Sequence, residues 1–222
     1  MRRFFRWLDR YLELSERMGA LLFGLVMVMI ITIGARSLLA DGEETTGDVL
    51  WAIVGGNLAW GIIQGWIFAI ESLFERGRIA RAILAVQRAG GDETALPMIR
   101  EEFNGDLVRV ASDEERARLY EHILGNVRKL ELPKTRVVRA DLYGAFVVFL
   151  LVSACAIPAI APFLFFRDPR VALRISNLLV IISLFLVGYR WAGDTDIPRW
   201  KAGLTMMVAG IVMSVIGELL GG

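Results

Sequence analysis

Apolar residues run almost unbroken through five stretches of this chain, 18–40, 49–73, 142–166, 171–191 and 202–220. Each supplies about 20 residues or more, enough to cross about 30 Å of hydrocarbon as an α-helix, and windows of this length are hard to hide in a small soluble core. Between the second and third stretches the pattern changes. Over 75–139 apolar positions recur at helical spacing among many charges, with few Pro or Ser, which predicts three amphipathic helices. The first, 75–89, carries Ile79, Ile83 and Val86 on one stripe and ends at Gly90-Gly91. The second, 95–109, aligns Leu96, Ile99, Phe103 and Leu107. The third opens on Ser112 with Glu115 three residues later, a capping box. It buries Leu119, Ile123, Val127 and Leu130 before Pro133 stops it. The expected fold is all-α: an integral membrane bundle of five transmembrane helices with a three-helix cytoplasmic insert between spans two and three. The expected segments are an amphipathic cytoplasmic N-terminal segment (1–17), spans one and two (18–74), the insert (75–139) and spans three to five (140–222).

Composition agrees: 55% of residues are hydrophobic and mean hydropathy is +0.53, too apolar for an ordinary soluble domain of 222 residues. Charge supplies the orientation. Arg2, Arg3, Arg6, Arg10 and Arg17 precede the first span, whereas the loop ADGEETTGD after it has no basic residue, so the N-terminus is expected in the cytoplasm. Arg76, Arg78, Arg81 and Arg88 after the second span, and Lys134, Arg136 and Arg139 before the third, put the insert on the same side. The FFRDPR turn with Arg174 runs against the rule, while Arg190, Arg199 and Lys201 after the fourth span obey it. With five spans the C-terminus lies outside, and the expected location is a bacterial inner (plasma) membrane. The apolar run behind the Arg-rich start is too long for a signal peptide and has no clear cleavage site, so the segment is read as retained.

Against this apolar background a few polar positions stand out. In GGNLAWGIIQGWIFAIES, Asn57, Gln64 and Glu71 recur every seven residues, which returns a helix to within about 20° of its starting direction. Gly61 lies close to the same line and forms with Gly65 a small-xxx-small pair that lets another helix approach. Polar side chains left in hydrocarbon are costly, so this face is expected to look into protein or a water-filled cavity. Two uses fit it: hydrogen bonding between helices, or lining an ion pathway. Glu71, nearest the cytoplasmic end, reaches water or pairs with Arg76 or Arg78, and it is also the best carboxylate in the spans for a cation or proton. Arg36 and Glu218 fall at similar depth near the outer ends of spans one and five and are expected to form an ion pair, with Arg174 as a rival partner for Glu218. Pro158 and Pro162, one turn apart, predict a kink in span three. The single cysteine, Cys155, is read as a packing residue and rules out an internal disulfide.

In the insert, Glu101, Glu102, Asp106, Asp113, Glu114, Glu115 and Glu121 gather beside the only histidine, His122. Hard divalent cations favour oxygen ligands, which makes Glu102, Asp106, Glu121 and His122 a candidate metal set. Arg100, Arg109, Arg116 and Arg118 are interleaved with them, the pattern of a solvated charged face. A lone His gives no two-His ligand pattern for a tight zinc or non-haem iron centre. The chain contains no GxSxG, P-loop, HExxH or dinucleotide-binding fingerprint, so an enzyme is not expected, and a net charge of +1 gives no reason to expect nucleic-acid binding.

Phe23-Gly24 after Arg17, the two-proline stretch from Ala156 to Phe163, and Lys201-Ala202-Gly203-Leu204 opening the last span resemble the vacuolar iron transporter family, as does the two-span, insert, three-span layout. The resemblance implies a homodimer in the lipid bilayer that moves ferrous iron or manganese, Fe2+ or Mn2+, in exchange for protons, with metal captured by the cytoplasmic helices. It also marks departures. Met27-Val28 stands where the family carries Asp-Gly, so an ion ligand is lost or replaced by a thioether. Gln64, Gly65, Trp66 and then Glu71 stand where the family carries a Gly-Glu-Tyr-Ser stretch, and the glutamate ladder of the insert is not reproduced. Asn57, Gln64, Glu71 and Met27 are therefore the expected transport-pathway residues. The alternative is a non-transporting membrane adaptor whose cytoplasmic helices bind a partner. No resident cofactor is called for.

Overall fold

The computed structural model describes residues 12–41, 45–103 and 110–219, with side chains at all of these except 36–41, 194, 214, 217 and 218. The described residues are helical and contain no strand: α1 (Leu14–Asp41), α2 (Thr46–Arg88), α3 (Asp92–Phe103), α4 (Asp113–Val127), α5 (Arg139–Ala154), α6 (Ile157–Phe165), α7 (Pro169–Trp191), a short 3-10 turn (Ala192–Asp194) and α8 (Arg199–Leu219). Four segments are long and apolar enough to cross a membrane: Leu14–Ala35, Thr46–Arg88, Arg139–Phe165 and Pro169–Trp191. The fifth apolar window is helical too, as α8, without joining those four.

The chain forms two compact units, Met1–Ala69 with Arg139–Gly222, and Ile70–Val138. In the first, α7 packs against α1, α6 and α8, and α1 also packs against α5 and α8. Leu25, Val28 and Met29 of α1 meet Ile53 of α2, Ala159 of α6 and Val180 and Leu184 of α7 in one apolar cluster. The outward faces are as apolar as the core. Trp51, Ile62 and Trp66 of α2 and Leu164 and Phe165 of α6 are each more than 60% exposed, the arrangement that hydrocarbon rather than water as the surrounding solvent favours. Helix α8 lies close along α7 because its glycines carry no Cβ: one built at Gly203 would stand 2.8 Å from the Phe185 ring, and at Gly188 a Cβ would meet the Ala202 carbonyl oxygen at 2.6 Å.

Span three is interrupted as its prolines dictate. Pro158 has no N–H to offer the Ala154 carbonyl and its ring crowds that position, so α5 ends at Ala154 and α6 begins at Ile157. The two residues between are held by tighter bonds, Cys155 N to Val152 O at 3.1 Å and Ala156 N to Ser153 O at 3.2 Å. Cys155 is buried there, its thiol donating to Leu21 O at 3.4 Å and Leu151 O at 3.3 Å, the packing role expected of it.

In the second unit α3 packs on α4 around Val86, Ala95, Ile99, Tyr120, Leu124 and Val127. The expected first amphipathic helix is not a separate element: α2 runs unbroken to Arg88, because nothing between Leu73 and Arg88 breaks a helix except Gly77, and a helix tolerates one glycine. Within the described residues the second helix ends at Phe103, and Leu107 lies outside them. The third carries the expected capping box, with Ser112 N donating to Glu115 Oε2 at 2.9 Å and Glu115 N to Ser112 Oγ at 3.3 Å. Its buried face matches the expected one in part: Val127 is buried and Ile123 packs against the core as expected, but Tyr120 and Leu124 are buried as well, whereas Leu119 is 42% exposed. The helix ends at Val127, so Leu130 lies beyond it, half exposed.

Candidate functional site

Asn57 and Ser153 lie along the line where α2 crosses α5. Gly61 and Gly65 make the crossing close. A Cβ at Gly65 would stand 2.7 Å from the Ala145 carbonyl oxygen, and one at Gly61 would lie 2.9 Å from Ser153 Oγ and 3.0 Å from the Phe149 carbonyl oxygen. One turn before Gly61, Asn57 is fully buried and its Nδ2 donates to the Val152 carbonyl at 2.9 Å. This half of the amide is glue between helices. The other half is not: Asn57 Oδ1 is buried without a hydrogen-bond partner, and so are Trp60 Nε1 and Ser153 Oγ of the same two helices. Each such atom costs about 1–3 kcal/mol if nothing polar reaches it. They are an acceptor, an N–H donor and a hydroxyl that can both donate and accept. The indole of Trp60 is fixed by stacking on Phe23 of α1, ring centroids 5.8 Å apart.

The seven-residue line does not stay on this seam. Asn57 is buried, Gln64 half-buried and Glu71 exposed. From Ile53 to Ala69 the buried positions of α2 are Ile53, Asn57, Gly61, Gly65 and Ala69, a four-residue repeat that advances about 40° per step around the helix, whereas the seven-residue line falls back about 20° per step, so the two part company before Glu71. Glu71, which belongs to the second unit, joins no ion pair among the described residues; Arg78 is held instead by Glu75 at 2.7 Å and Glu102 at 2.5 Å. Met27 on α1 is half-buried. Arg76 reaches the Arg136 carbonyl at 3.3 Å.

Three residues of the seam or its surroundings escaped the sequence reading. Ser153 and Trp60 gave no signal, since serine and tryptophan in an apolar helix are ordinary. Asp141, 5% exposed in the first turn of α5, is the one charged residue fully buried among the described residues. It sits just past the basic run Lys134, Arg136 and Arg139 and so resembled a routine first-turn acid, which the helix dipole favours.

In the second unit Glu102, Glu121 and His122 are exposed, and Asp106 lies outside the described residues. Among the described residues no three His, Cys, Asp or Glu side chains are grouped to hold a metal ion. The carboxylates there pair with arginines, Glu102 with Arg78, Asp113 with Arg116, and Asp92 with Arg128 at 2.6 Å. Ser112 donates its backbone N–H and its hydroxyl to Glu115, which holds that carboxyl below its ordinary pKa. The side chains of Arg36 and Glu218 lie outside the described residues, so the pair expected between them does too. Compared with known proteins, no curated protein matches the chain. Its residues 99–222, more than half its length, match the VIT family.

Proposed function

The chain belongs to the VIT family, the vacuolar iron transporter family, whose members are membrane metal-ion transporters and not enzymes, and on that premise we propose that it moves Fe2+ or Mn2+ in exchange for protons. In this reading α8 is the fifth span, the protein works as a homodimer, the N-terminus and the second unit are cytoplasmic, and the C-terminus is outside in a bacterial inner (plasma) membrane. The cytoplasmic insert expected over 75–139 corresponds to the second unit, Ile70–Val138.

The observation that carries the reading is the set of unpartnered polar atoms at Asn57, Trp60 and Ser153 inside an otherwise apolar crossing. Hydrogen-bonding glue satisfies both partners, whereas here the amide oxygen points its lone pairs at nothing in the protein. Neutral oxygens lower the cost of partly dehydrating a divalent ion without trapping it, and conduction needs that compromise. Asn57 and Gln64 line the path, Met27 offers a soft thioether to Fe2+, and Glu71 stands at the cytoplasmic entrance. Glu102, Asp106, Glu121 and His122 concentrate cations before entry, and the three of them whose placement is described, Glu102, Glu121 and His122, are exposed. The test is flux: Asn57→Leu is expected to cut metal uptake into liposomes about tenfold or more while the protein still purifies as folded, and unchanged uptake would refute a pathway at this seam.

One observation favours the adaptor alternative. A cleft of about 600 Å³ in the second unit is lined by Ile79, Ile83, Met98, Phe103 and Leu130, several of them well exposed. A protein that binds a partner there yet moves no ion in liposomes would fit that reading instead.

A further inference from the structure

The link from α7 to α8 holds two guanidinium groups side by side. Gly193 lies between them: a Cβ there would stand 3.0 Å from Arg190 Nη1 and 3.7 Å from Arg199 Nη2. Neither arginine forms an ion pair among the described side chains; of the two carboxylates in the same link, Asp196 pairs with neither, and the side chain of Asp194 lies outside the described residues. Both arginines are exposed, so their guanidinium groups are open to an anion from outside the protein. Arg199 is steadied over the ring of Tyr189, 6.0 Å from its centroid, and Lys201 over Trp200, 5.7 Å from its centroid. The first-turn N–H groups of α8 add positive potential at the same spot.

From this geometry we propose that Arg190 and Arg199, flanked by Lys201, bind the phosphate of an anionic phospholipid headgroup. Three features select a lipid over a free anion. Arg190 occupies the last turn of a membrane-spanning helix, which sets the cluster at headgroup depth. Tyr189 and Trp200 are exposed amphipathic aromatics of the kind that mark that depth. The glycine between the arginines leaves room for both forks to reach one phosphate, a bidentate geometry that Arg supplies and Lys does not. On the orientation proposed above, this end meets the cytoplasmic leaflet, whose anionic lipids attract basic groups within a Debye length of the surface. The proposal does not require transport, and lipid binding is its readout.

The experiment uses the purified full-length protein in neutral detergent. Its thermal stability is followed on adding phosphatidylglycerol, phosphatidylcholine or inorganic phosphate, and native mass spectrometry counts the lipids retained. Phosphatidylglycerol is expected to raise the Tm by several degrees and to remain bound, while phosphatidylcholine and inorganic phosphate do neither. Arg190→Gln with Arg199→Gln is expected to abolish most of the rise, and Arg170→Gln with Arg174→Gln, equal in charge removed, to leave it. A full response in the first pair, an equal response to phosphatidylcholine, or an equal response to inorganic phosphate overturns the proposal. If the glutamine pair does not purify, Arg190→Lys with Arg199→Lys keeps the charge but loses the fork. It is expected to weaken the apparent affinity for phosphatidylglycerol about threefold or more, and unchanged affinity counts against the proposal.

Discussion

On the function proposed here, Asn57 divides between two roles. Its Nδ2 ties α2 to the α5 backbone and its Oδ1 has no partner in the protein, so the two roles separate on substitution. Leucine at this position gives up one interhelical hydrogen bond, worth about 0.6–2 kcal/mol in a membrane, and regains part of it by burying apolar surface. Asn57→Leu should therefore shift the Tm only slightly while flux falls, and a large loss of stability with normal flux would assign the residue to glue alone. The glycines beside it behave differently. Gly65→Val must push Ala145 away, since even one added carbon would come within 2.7 Å of a backbone oxygen, and the expected cost is about 1–3 kcal/mol, read as a lower thermal midpoint in detergent. The pair Gly61 and Gly65 was legible in the sequence because small residues four apart have one main use in a membrane helix. Ser153 was not legible, since only the crossing at Gly61 sets its hydroxyl among the unpartnered atoms.

Among the elements, α4 has the start written most plainly in the sequence, because a capping box depends on residues three apart and on nothing distant. Ser112→Ala should weaken α4 by about 1 kcal/mol, seen as faster amide exchange in its first turn. The cap also carries a pH dependence. Its Glu115 carboxyl has a folded pKa below the unfolded value, so its contribution is present above the unfolded pKa and is lost as pH falls through the lowered folded one. Protection of the α4 amides, corrected for intrinsic exchange, should decline across that acidic window in the native protein and be insensitive to it in Glu115→Gln. The buried face of α4 was harder to read. Leu119 and Tyr120 are neighbours, and a stripe through either fits helical spacing; packing against α3 selects Tyr120, where Arg100 lies over its ring at 5.8 Å. The length of α2 was misread for a related reason. An apolar window marks where lipid ends, whereas a helix ends only where its backbone is interrupted, and the residues after Leu73 supply no interruption before Gly90. The break in span three was foreseen because proline acts through its own missing N–H.

At the scale of the whole molecule, the all-helical membrane architecture and the family were legible from window lengths, the placement of arginines and a few short motifs. The site was legible only in part. Periodicity put Asn57, Gln64 and Glu71 on one line, but a line seven residues apart drifts around a real helix, and only Asn57 is buried. The family match covers residues 99–222, which include α5 with Ser153 and Asp141, while Asn57 and Met27 precede it. The central claim is that this chain conducts a divalent metal ion through the polar crossing of α2 and α5. Its most direct test is metal entry into sealed liposomes containing the purified protein and a metal-quenched dye, measured with Fe2+ and Mn2+ at several imposed proton gradients. The account predicts metal-dependent quenching that grows with the proton gradient and falls about tenfold in Asn57→Leu; no flux of either ion at any gradient, from protein shown to be folded, would contradict it.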